Sequence, residues 1–248
     1  MRNNAQPAQL PRVPALARWR GRPLTREAAE DIYVGWFGRE APEGAAKAAF
    51  CSRGARAAAD EPSHWGARTL RHSWIAAAGQ NPAYEHFPCQ FQLFVRTGNA
   101  RRGGLRYNPA FKVFTLEDTP REVWRTSDYS CRPASLGGGT RGAPTPGVYE
   151  LAFSDSGVVS RELWRVVGAA DDLSWALFYY SGAAVHAGQT YVGAMLATPD
   201  GAWPAPRHAA AVEAACREAG VELWELDGVR NTCCDGVPVR PTRAVRYA

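Results

Sequence analysis

One decapeptide of this chain, "NPAYEHFPCQ" (81–90), combines the residue types of a reactive site. Glu85, His86 and Cys89 could act as acid, base and nucleophile if their side chains converged. A nucleophilic cysteine needs a thiolate and a partnered base, and an offset of three residues in a strand or turn directs His86 away from Cys89. The sequence also contains no G-x-S-x-G elbow. These residues therefore argue against a cysteine or serine hydrolase and favour a structural role for Cys89.

The six cysteines are better suited to disulfides or burial than to a metal centre. They form no C-x-x-C pair, and the five histidines show no zinc spacing, so no metal site is predicted. The adjacent Cys233 and Cys234 in "RNTCCDG" can be reduced and buried, or one of them can pair with a distant cysteine in an oxidising compartment. A bridge from Cys89 to Cys233 would close a loop of over a hundred residues, which the chain-entropy model values at roughly 4–5 kcal/mol.

Strand-like segments follow one another from about residue 70 onward. Short runs of β-branched and aromatic residues alternate with turn residues, which predicts antiparallel strands. The predicted strands are 73–78, 89–96, 105–107 with 111–115, 121–126, 147–153, 162–167, 174–181 and 190–197. The Gly/Pro/Ser-rich stretch 127–147 is predicted to be a surface loop between the fourth and fifth of them.

Helical segments are predicted on both sides of these strands. Thr25 can cap a helical stretch over 25–60, and its apolar patch "IYVGWF" (32–37) must dock on another part of the protein. Residues 206–219 form an amphipathic pattern that begins with Pro206, and a short strand "VELWEL" (221–226) follows. The residues that share the apolar face of this second helix are Val212, Ala215, Cys216 and Ala219.

This order of elements predicts a mostly β fold, an eight-stranded antiparallel up-and-down barrel with a C-terminal packed helix. Barrels of about eight strands can hold one small ligand, so we expect a mostly apolar interior cavity. The predicted organisation is a helical or disordered N-terminal extension over 1–66, a barrel domain over 67–237 and a short tail over 238–248.

The charge distribution bears on which partners the protein is expected to bind and in which compartment it is expected to lie. The net charge is +5, and many of the arginines lie in the first 26 residues, with no acid before Glu27. This leader is typical either of a transit peptide or of a disordered basic tail. Beyond residue 30 the charges are mixed in sign and form no basic helix, so no nucleic-acid partner is predicted. No run approaches the ~18 apolar residues of a membrane-spanning helix.

Four segments resemble the lipocalin-type domain of violaxanthin de-epoxidase and its related proteins. They match in order and spacing, and the resemblance covers about residues 70–237. The matching segments are "WIAAAGQNPAYEHFPCQ" (74–90), "LFYYSG" (177–182), "TYVGAMLATPDG" (190–201) and "RNTCCDG" (230–236). The resemblance implies a lipocalin fold in the thylakoid lumen of the chloroplast. It also implies an acid-activated oxidoreductase that removes epoxide oxygens from xanthophylls, with ascorbate as electron donor and no bound metal or nucleotide. It further implies a homodimer at acid pH and contact with the thylakoid membrane surface.

The resemblance also implies roles for individual residues. An epoxide oxygen is a poor leaving group until it is protonated, so an acid with a raised pKa must reach it. The two acids proposed for the family align with Glu162 in "RELW" and with Tyr180 in "FYYSG", and an apolar interior would raise the pKa of Glu162. The alternative is that Glu162 faces solvent and that Tyr180 anchors the core through its hydroxyl. The expected substrate contacts are Glu85, Gln90, Trp164, Tyr179 and Tyr191, and the expected disulfide joins Cys89 to Cys233.

Several positions depart from the family pattern. Pro88 stands where the family has an aspartate, Glu162 replaces an aspartate, and "AAVHAGQ" (183–189) lacks the carboxylate found there in the family. These departures leave a second interpretation open, a lipocalin-like carrier of a carotenoid or another apolar ligand without turnover. His86 and His186 are either exposed loop residues or sensors of lumen pH.

Overall fold

The computed structural model describes residues 13–35, 73–81, 84–85, 87–96, 104–114, 116–118, 120–124, 129–136, 142–155, 158–184 and 189–231. Its centre is a closed antiparallel barrel. The barrel strands are β3 (Trp74–Gly79), β4 (Phe91–Arg96), β5 (Leu105–Phe114), β6 (Pro120–Trp124), β7 (Tyr129–Pro133), β8 (Val148–Asp155), β9 (Val158–Ala169), β10 (Ala176–Ala184) and β11 (Gln189–Thr198). The short strands β1 (Arg18–Trp19) and β2 (Arg22–Pro23) form a separate hairpin, and β12 (Asp227–Gly228) pairs with β3.

Neighbouring barrel strands are consecutive in the chain, and β11 pairs back onto β3 to close the sheet. The strands β6 and β7 both pair with β5, with its residues 110–114 and 105–107 respectively, so together they occupy one position. The result is an eight-position up-and-down barrel, which confirms the predicted lipocalin-like fold. We refer below to the end that carries the β3–β4 loop as the mouth and to the opposite end as the closed end.

Strand β7 lies inside the stretch 127–147 that the sequence predicted to be a loop, so that prediction was wrong for Tyr129–Pro133. Tyr129 and Cys131 are buried while Ser130 between them is exposed, which is the alternation of a half-buried strand. The Gly/Pro-rich residues that follow dominate the composition of the stretch, so the sequence pattern did not indicate this five-residue strand.

Residues 13–35, which lie within the predicted N-terminal extension 1–66, pack against the barrel. Helix α1 (Arg26–Val34) begins at Thr25, whose side chain accepts from the Ala28 N–H as predicted. Its residues Ile32 and Tyr33 have no exposed surface. The Tyr33 ring lies 5.1 Å from the rings of both Phe94 and Tyr149, so α1 fills the closed end. The remainder of the predicted helical stretch, 36–60, lies outside the described residues.

Hydrogen bonds and one close approach attach α1 to the barrel. The indole N–H of Trp74 donates to the Ile32 carbonyl at 2.9 Å, and the Tyr33 hydroxyl donates to the Gly147 carbonyl at 3.1 Å. Gly35 ends the helix with φ +55°, and a Cβ there would lie 2.7 Å from the Trp74 ring. The chain therefore needs glycine at this point both for its backbone conformation and for space.

Helix α2 (Ala209–Glu218) packs on the outer face of the barrel after a 3₁₀ turn at Pro206–His208. The four residues predicted to share its apolar face are all buried, and they contact the outer residues of β9 and β10. The predicted strand "VELWEL" is not formed. Residues Leu223–Glu225 make a 3₁₀ turn instead, because Glu222 and Glu225 complete a capping box around it.

Candidate functional site

The β3–β4 loop folds a carboxylate back into the barrel mouth. The Glu85 N–H donates to the Asn81 carbonyl at 2.8 Å, and the Asn81 N–H donates to Oε2 of Glu85 at 2.7 Å. The Glu85 side chain is consequently only 4% exposed. Its second oxygen, Oε1, accepts from the hydroxyl of Tyr180 on β10.

A second carboxylate lies in the same region. Oε2 of Glu162 accepts from the Trp164 indole N–H at 2.6 Å, and its Oε1 accepts from the Tyr191 hydroxyl at 2.6 Å. The Tyr180 ring is stacked on Trp164 with a centroid distance of 5.3 Å and meets Tyr191 edge-on at 6.3 Å. We define Glu85, Glu162, Trp164, Tyr180 and Tyr191 as the mouth cluster.

Strand register explains why these side chains converge. Tyr180 pairs with Trp164 of β9, and Gly182 pairs with both Glu162 of β9 and Tyr191 of β11. Alternate residues of β10 lie on the same face of the sheet, so Tyr180 and Gly182 both face the barrel interior. Because Gly182 has no side chain, Glu162 and Tyr191 can meet across it.

Three strand glycines make room for the cluster. A Cβ at Gly79 would lie 2.0 Å from Cβ of Glu85, and a Cβ at Gly193 would lie 2.3 Å from the Tyr180 hydroxyl. At Gly182 the added atom would lie 2.9 Å from both Glu162 and Tyr191. These glycines were not predicted from the sequence as site residues. The available signal was a glycine in each of three successive barrel strands near the mouth, where interior glycine marks a close approach.

Burial decides the protonation of the cluster. Loss of solvent raises the pKa of Glu85 to about 8, and the nearby charge of Glu162 adds to this effect, while hydrogen bonds from Tyr180 and Asn81 oppose it. Burial also raises the pKa of Tyr180 and of Tyr191, and the charges of Glu85 and Glu162 respectively raise them further. At neutral pH the site therefore holds a neutral carboxylic acid beside two neutral phenols, and Glu85 carries a proton that it can donate.

A chain of amides holds the loop that carries Glu85. The Tyr107 hydroxyl donates to Oε1 of Gln92, whose amide donates to Oε1 of Gln90 at 2.8 Å. The Gln90 amide in turn donates to the Tyr84 carbonyl. Gln90, predicted to contact substrate, thus has its amide N–H engaged in positioning the loop. The Tyr84 ring lies 5.9 Å from Tyr191 and forms part of the rim.

Aromatic rings fill the barrel beneath the cluster. Phe94 is stacked on Tyr107 at 4.4 Å and contacts Trp164 at 6.0 Å and Phe178 at 6.3 Å. The interior of the barrel is apolar, as predicted. The clefts of about 420 and 180 Å³ that described residues line lie elsewhere, beside α2 and at the closed end.

Tyr179, predicted to contact substrate, lies apart from the mouth cluster. It neighbours Tyr180 in the strand and therefore points to the opposite face. There it packs among the outer residues under α2, with the Arg165 guanidinium 5.3 Å from its ring.

Cys89 is buried and disulfide-bonded, so it has no free thiol for nucleophilic chemistry. Its N–H donates to Oδ1 of Asn231 at 2.9 Å, two residues before Cys233. The predicted partner Cys233 lies outside the described residues, as do His86 and His186. Within the described ranges no group of three or more His, Cys, Asp or Glu side chains is placed to hold a metal ion. The helices in these ranges are too short or too polar to cross a bilayer.

Comparisons with known proteins find solved structures of low identity to this chain. No family model matches it, and no curated protein matches it. It is similar to lobster apocrustacyanin A1, with 13% identity over 64% of this chain and 75% of that chain and a TM-score of 0.42. H1 crustacyanin from the lobster Homarus americanus shows 12% identity over 67% and 80%, with a TM-score of 0.43. Insecticyanin from the tobacco hornworm Manduca sexta shows 11% identity over 65% and 78%, with a TM-score of 0.45.

Proposed function

We propose that this chain binds an apolar small molecule that carries a neutral oxygen group, such as an oxygenated carotenoid, at the mouth of its barrel. The observation that carries this proposal is the buried carboxyl of Glu85, which lies beside Tyr180 under an aromatic rim. A binding site for such a ligand needs apolar walls and a few placed polar groups. Trp164, Tyr180 and Tyr191 supply the walls, and Glu85 supplies a proton donor.

The charges of the cluster favour a neutral ligand over an anionic one. Both oxygens of Glu162 already accept hydrogen bonds, from Trp164 and from Tyr191. A ligand carboxylate placed beside Glu162 would meet a like charge in a poorly solvated site. A hydroxyl, carbonyl or epoxide oxygen can instead accept from the Glu85 carboxyl at little electrostatic cost.

Two pigments with closely similar polyene chains test this proposal. Violaxanthin carries epoxide and hydroxyl oxygens and β-carotene carries none, so we expect violaxanthin to co-elute with the protein and to quench tryptophan fluorescence more strongly. Equal binding of both pigments would contradict a role for the polar cluster. No binding of either would contradict the proposed ligand class.

Reductive de-epoxidation is the second candidate, and the raised pKa of Glu85 favours it. Removing an epoxide oxygen as water consumes two protons and two electrons and leaves a carbon–carbon double bond. Ascorbate, a monoanion at neutral or mildly acid pH, supplies both electrons and one proton as it becomes dehydroascorbate, and the second proton comes from solvent through the general acid. In this reaction Glu85 is the group whose pKa of about 8 suits a general acid at neutral or acid pH. Glu162 and Tyr180, implied by the family resemblance, then hold the cluster around the reacting oxygen.

Turnover distinguishes the two candidates. Purified protein with violaxanthin, ascorbate and a lipid at about pH 5 should yield antheraxanthin if the chain is a de-epoxidase. If pigment binds but its absorption spectrum never changes, the chain is a carrier. The thylakoid-lumen location, the contact with its membrane and the acid-induced homodimer belong to the de-epoxidase proposal, and all three follow from the resemblance alone.

A further inference from the structure

A second concave surface lies on the outside of the barrel, beside α2 and separate from the mouth. It is a cleft of about 420 Å³, and Trp203 and Trp224 both line it. Trp203 is 49% exposed and Trp224 is 80% exposed. Val221 and Leu223 also line the cleft. We call this surface the aromatic cleft. Two exposed indoles in one cleft are typical of an interaction site, since tryptophan is enriched where proteins bind partners.

The loop that carries Trp203 is held by its own hydrogen bonds. Oγ1 of Thr198 donates to the Ala202 carbonyl at 2.8 Å, and the Ala202 N–H donates to the Asp200 carboxylate at 3.0 Å. The Gly201 carbonyl accepts from the Asn231 side chain at 2.8 Å. The indole is therefore presented by a fixed backbone, which lowers the ordering cost of binding.

The turn that carries Trp224 is fixed in a similar way. Trp224 is the central residue of the 3₁₀ turn Leu223–Glu225, which the reciprocal bonds of Glu222 and Glu225 cap. The Leu226 N–H donates to the Leu223 carbonyl at 3.2 Å. The backbone that presents Trp224 is therefore fixed by hydrogen bonds, like the backbone that presents Trp203.

The charges of the aromatic cleft are complementary to a cation. Its charged lining residues are Glu213, Arg217 and Glu222, so its formal charge is −1 on a chain whose net charge is +5. Arg217 pairs with Glu213 at 3.1 Å, which leaves Glu222 as the surplus negative charge. Indole faces attract cations through their quadrupole, and the planar guanidinium stacks on them.

We infer that the aromatic cleft binds an arginine side chain presented by an extended segment of a partner protein. The guanidinium stacks on the indole of Trp224 or Trp203, and its charge faces Glu222. Apolar residues beside that arginine contact Val221 and Leu223. Because the cleft lies outside the barrel, the partner and a ligand at the mouth can be bound together. This inference does not depend on the proposed function of the mouth cluster.

A pair of labelled peptides tests the arginine directly. The probe is a fluorescein-labelled Gly-Val-Arg-Gly-Val-Arg-Gly, and its control replaces both arginines by citrulline, which has the same shape without the charge. Fluorescence anisotropy of the full chain at low salt should show at least tenfold weaker binding of the citrulline peptide. Equal binding of the two peptides, or no binding of either, would overturn the inference.

Variants of the chain test whether the arginine peptide binds in the aromatic cleft. Trp224→Ala should weaken binding of the arginine peptide at least tenfold and Glu222→Gln at least threefold, while Leu116→Ala, at the exposed turn between β5 and β6, should leave it unchanged. The far-UV circular dichroism spectrum and the urea unfolding midpoint of Trp224→Ala should match those of the unaltered chain, which separates a lost contact from a lost fold. Unchanged affinity in Trp224→Ala would overturn the inference. So would preferential binding to phosphatidylcholine vesicles, or peptide binding that appears only after deletion of the arginine-bearing residues 238–248.

Discussion

The Tyr180 hydroxyl on β10 donates to Oε1 of Glu85 in the β3–β4 loop, and the two residues are 95 positions apart in the chain. This contact joins the decapeptide 81–90 to the "FYYSG" strand. It places a loop carboxylate beside Tyr180, which is one of the two acids that the family resemblance implies, the other being Glu162. The hydrogen bond is buried, so its loss leaves both groups without a solvent substitute.

The stability of the protein should decrease as the pH rises from about 5 to about 8. Glu85 has an ordinary carboxyl pKa near 4.5 when unfolded and a pKa of about 8 when folded. Between these values the folded state holds a proton that the unfolded state has released, so unfolding becomes easier by up to about 1.4 kcal/mol per pH unit. Urea unfolding at several pH values measures this slope. Glu85→Gln should remove the contribution, and Glu117→Gln on an exposed turn should keep it.

Two adjacent tyrosines form a matched pair of variants. Tyr180→Phe removes the hydrogen bond that lowers the Glu85 pKa, so the pKa of Glu85 should rise further and the protein should lose about 1–3 kcal/mol of stability. Infrared spectroscopy of the protonated carboxyl band, assigned with Glu85→Gln, reports the shift. Tyr179→Phe, on the outer face, should leave the band and the mouth ligand unchanged. An identical response of the two variants would refute the assignment of faces.

A single methyl group should disrupt the site. Gly193→Ala places a Cβ 2.3 Å from the Tyr180 hydroxyl, so the ring must leave Glu85 and the protein should lose about 1–3 kcal/mol. Pigment binding and thermal unfolding measure both effects. Gly228→Ala is the control, because nothing lies within 4 Å of its added Cβ. Retention of full binding by Gly193→Ala would show that the strand glycines are dispensable.

Helix α1 should contribute to the stability of the whole barrel. Ile32→Ala deletes a fully buried side chain and should cost about 2–5 kcal/mol. Thr25→Ala removes only the helix cap and should cost about 1 kcal/mol. Both variants should still unfold in one cooperative transition, monitored by circular dichroism and tryptophan fluorescence together. Separate transitions would indicate that α1 is an independent extension after all.

The disulfide partner of Cys89 should be Cys233. Asn231, two residues before Cys233, lies beside Cys89. Its side chain accepts from the Cys89 N–H at 2.9 Å and donates to the Ala76 carbonyl at 2.8 Å. A non-reducing peptide map with fragmentation between Cys233 and Cys234 identifies the partner. Recovery of a bond from Cys89 to Cys234 or Cys51 would contradict the prediction. Closure of so long a loop should be worth about 5 kcal/mol, so Cys233→Ser should lower the free energy of unfolding by a comparable amount.

Local patterns in the sequence predicted the barrel strands and the buried face of α2 with small errors. Alternation along a strand and the helical spacing of Val212, Ala215 and Cys216 depend on neighbours in the chain, so the residues themselves carry the signal. The errors fall where a longer-range contact overrides composition. The 3₁₀ turn at Leu223–Glu225 forms around its cap, and β7 forms because Leu105–Tyr107 offers it an edge.

The amino-acid sequence was enough to predict the fold class, the order of most strands and the tyrosines and carboxylates suited to a site. The three-dimensional packing was needed to show that Glu85 meets Tyr180, that Tyr179 faces outward and that α1 fills the closed end. A two-residue period shows that Tyr179 and Tyr180 point in opposite directions, but closure and register of the barrel choose which one enters. The raised pKa of Glu85 likewise depends on tertiary packing, because segments distant in the chain surround the carboxyl and remove it from solvent.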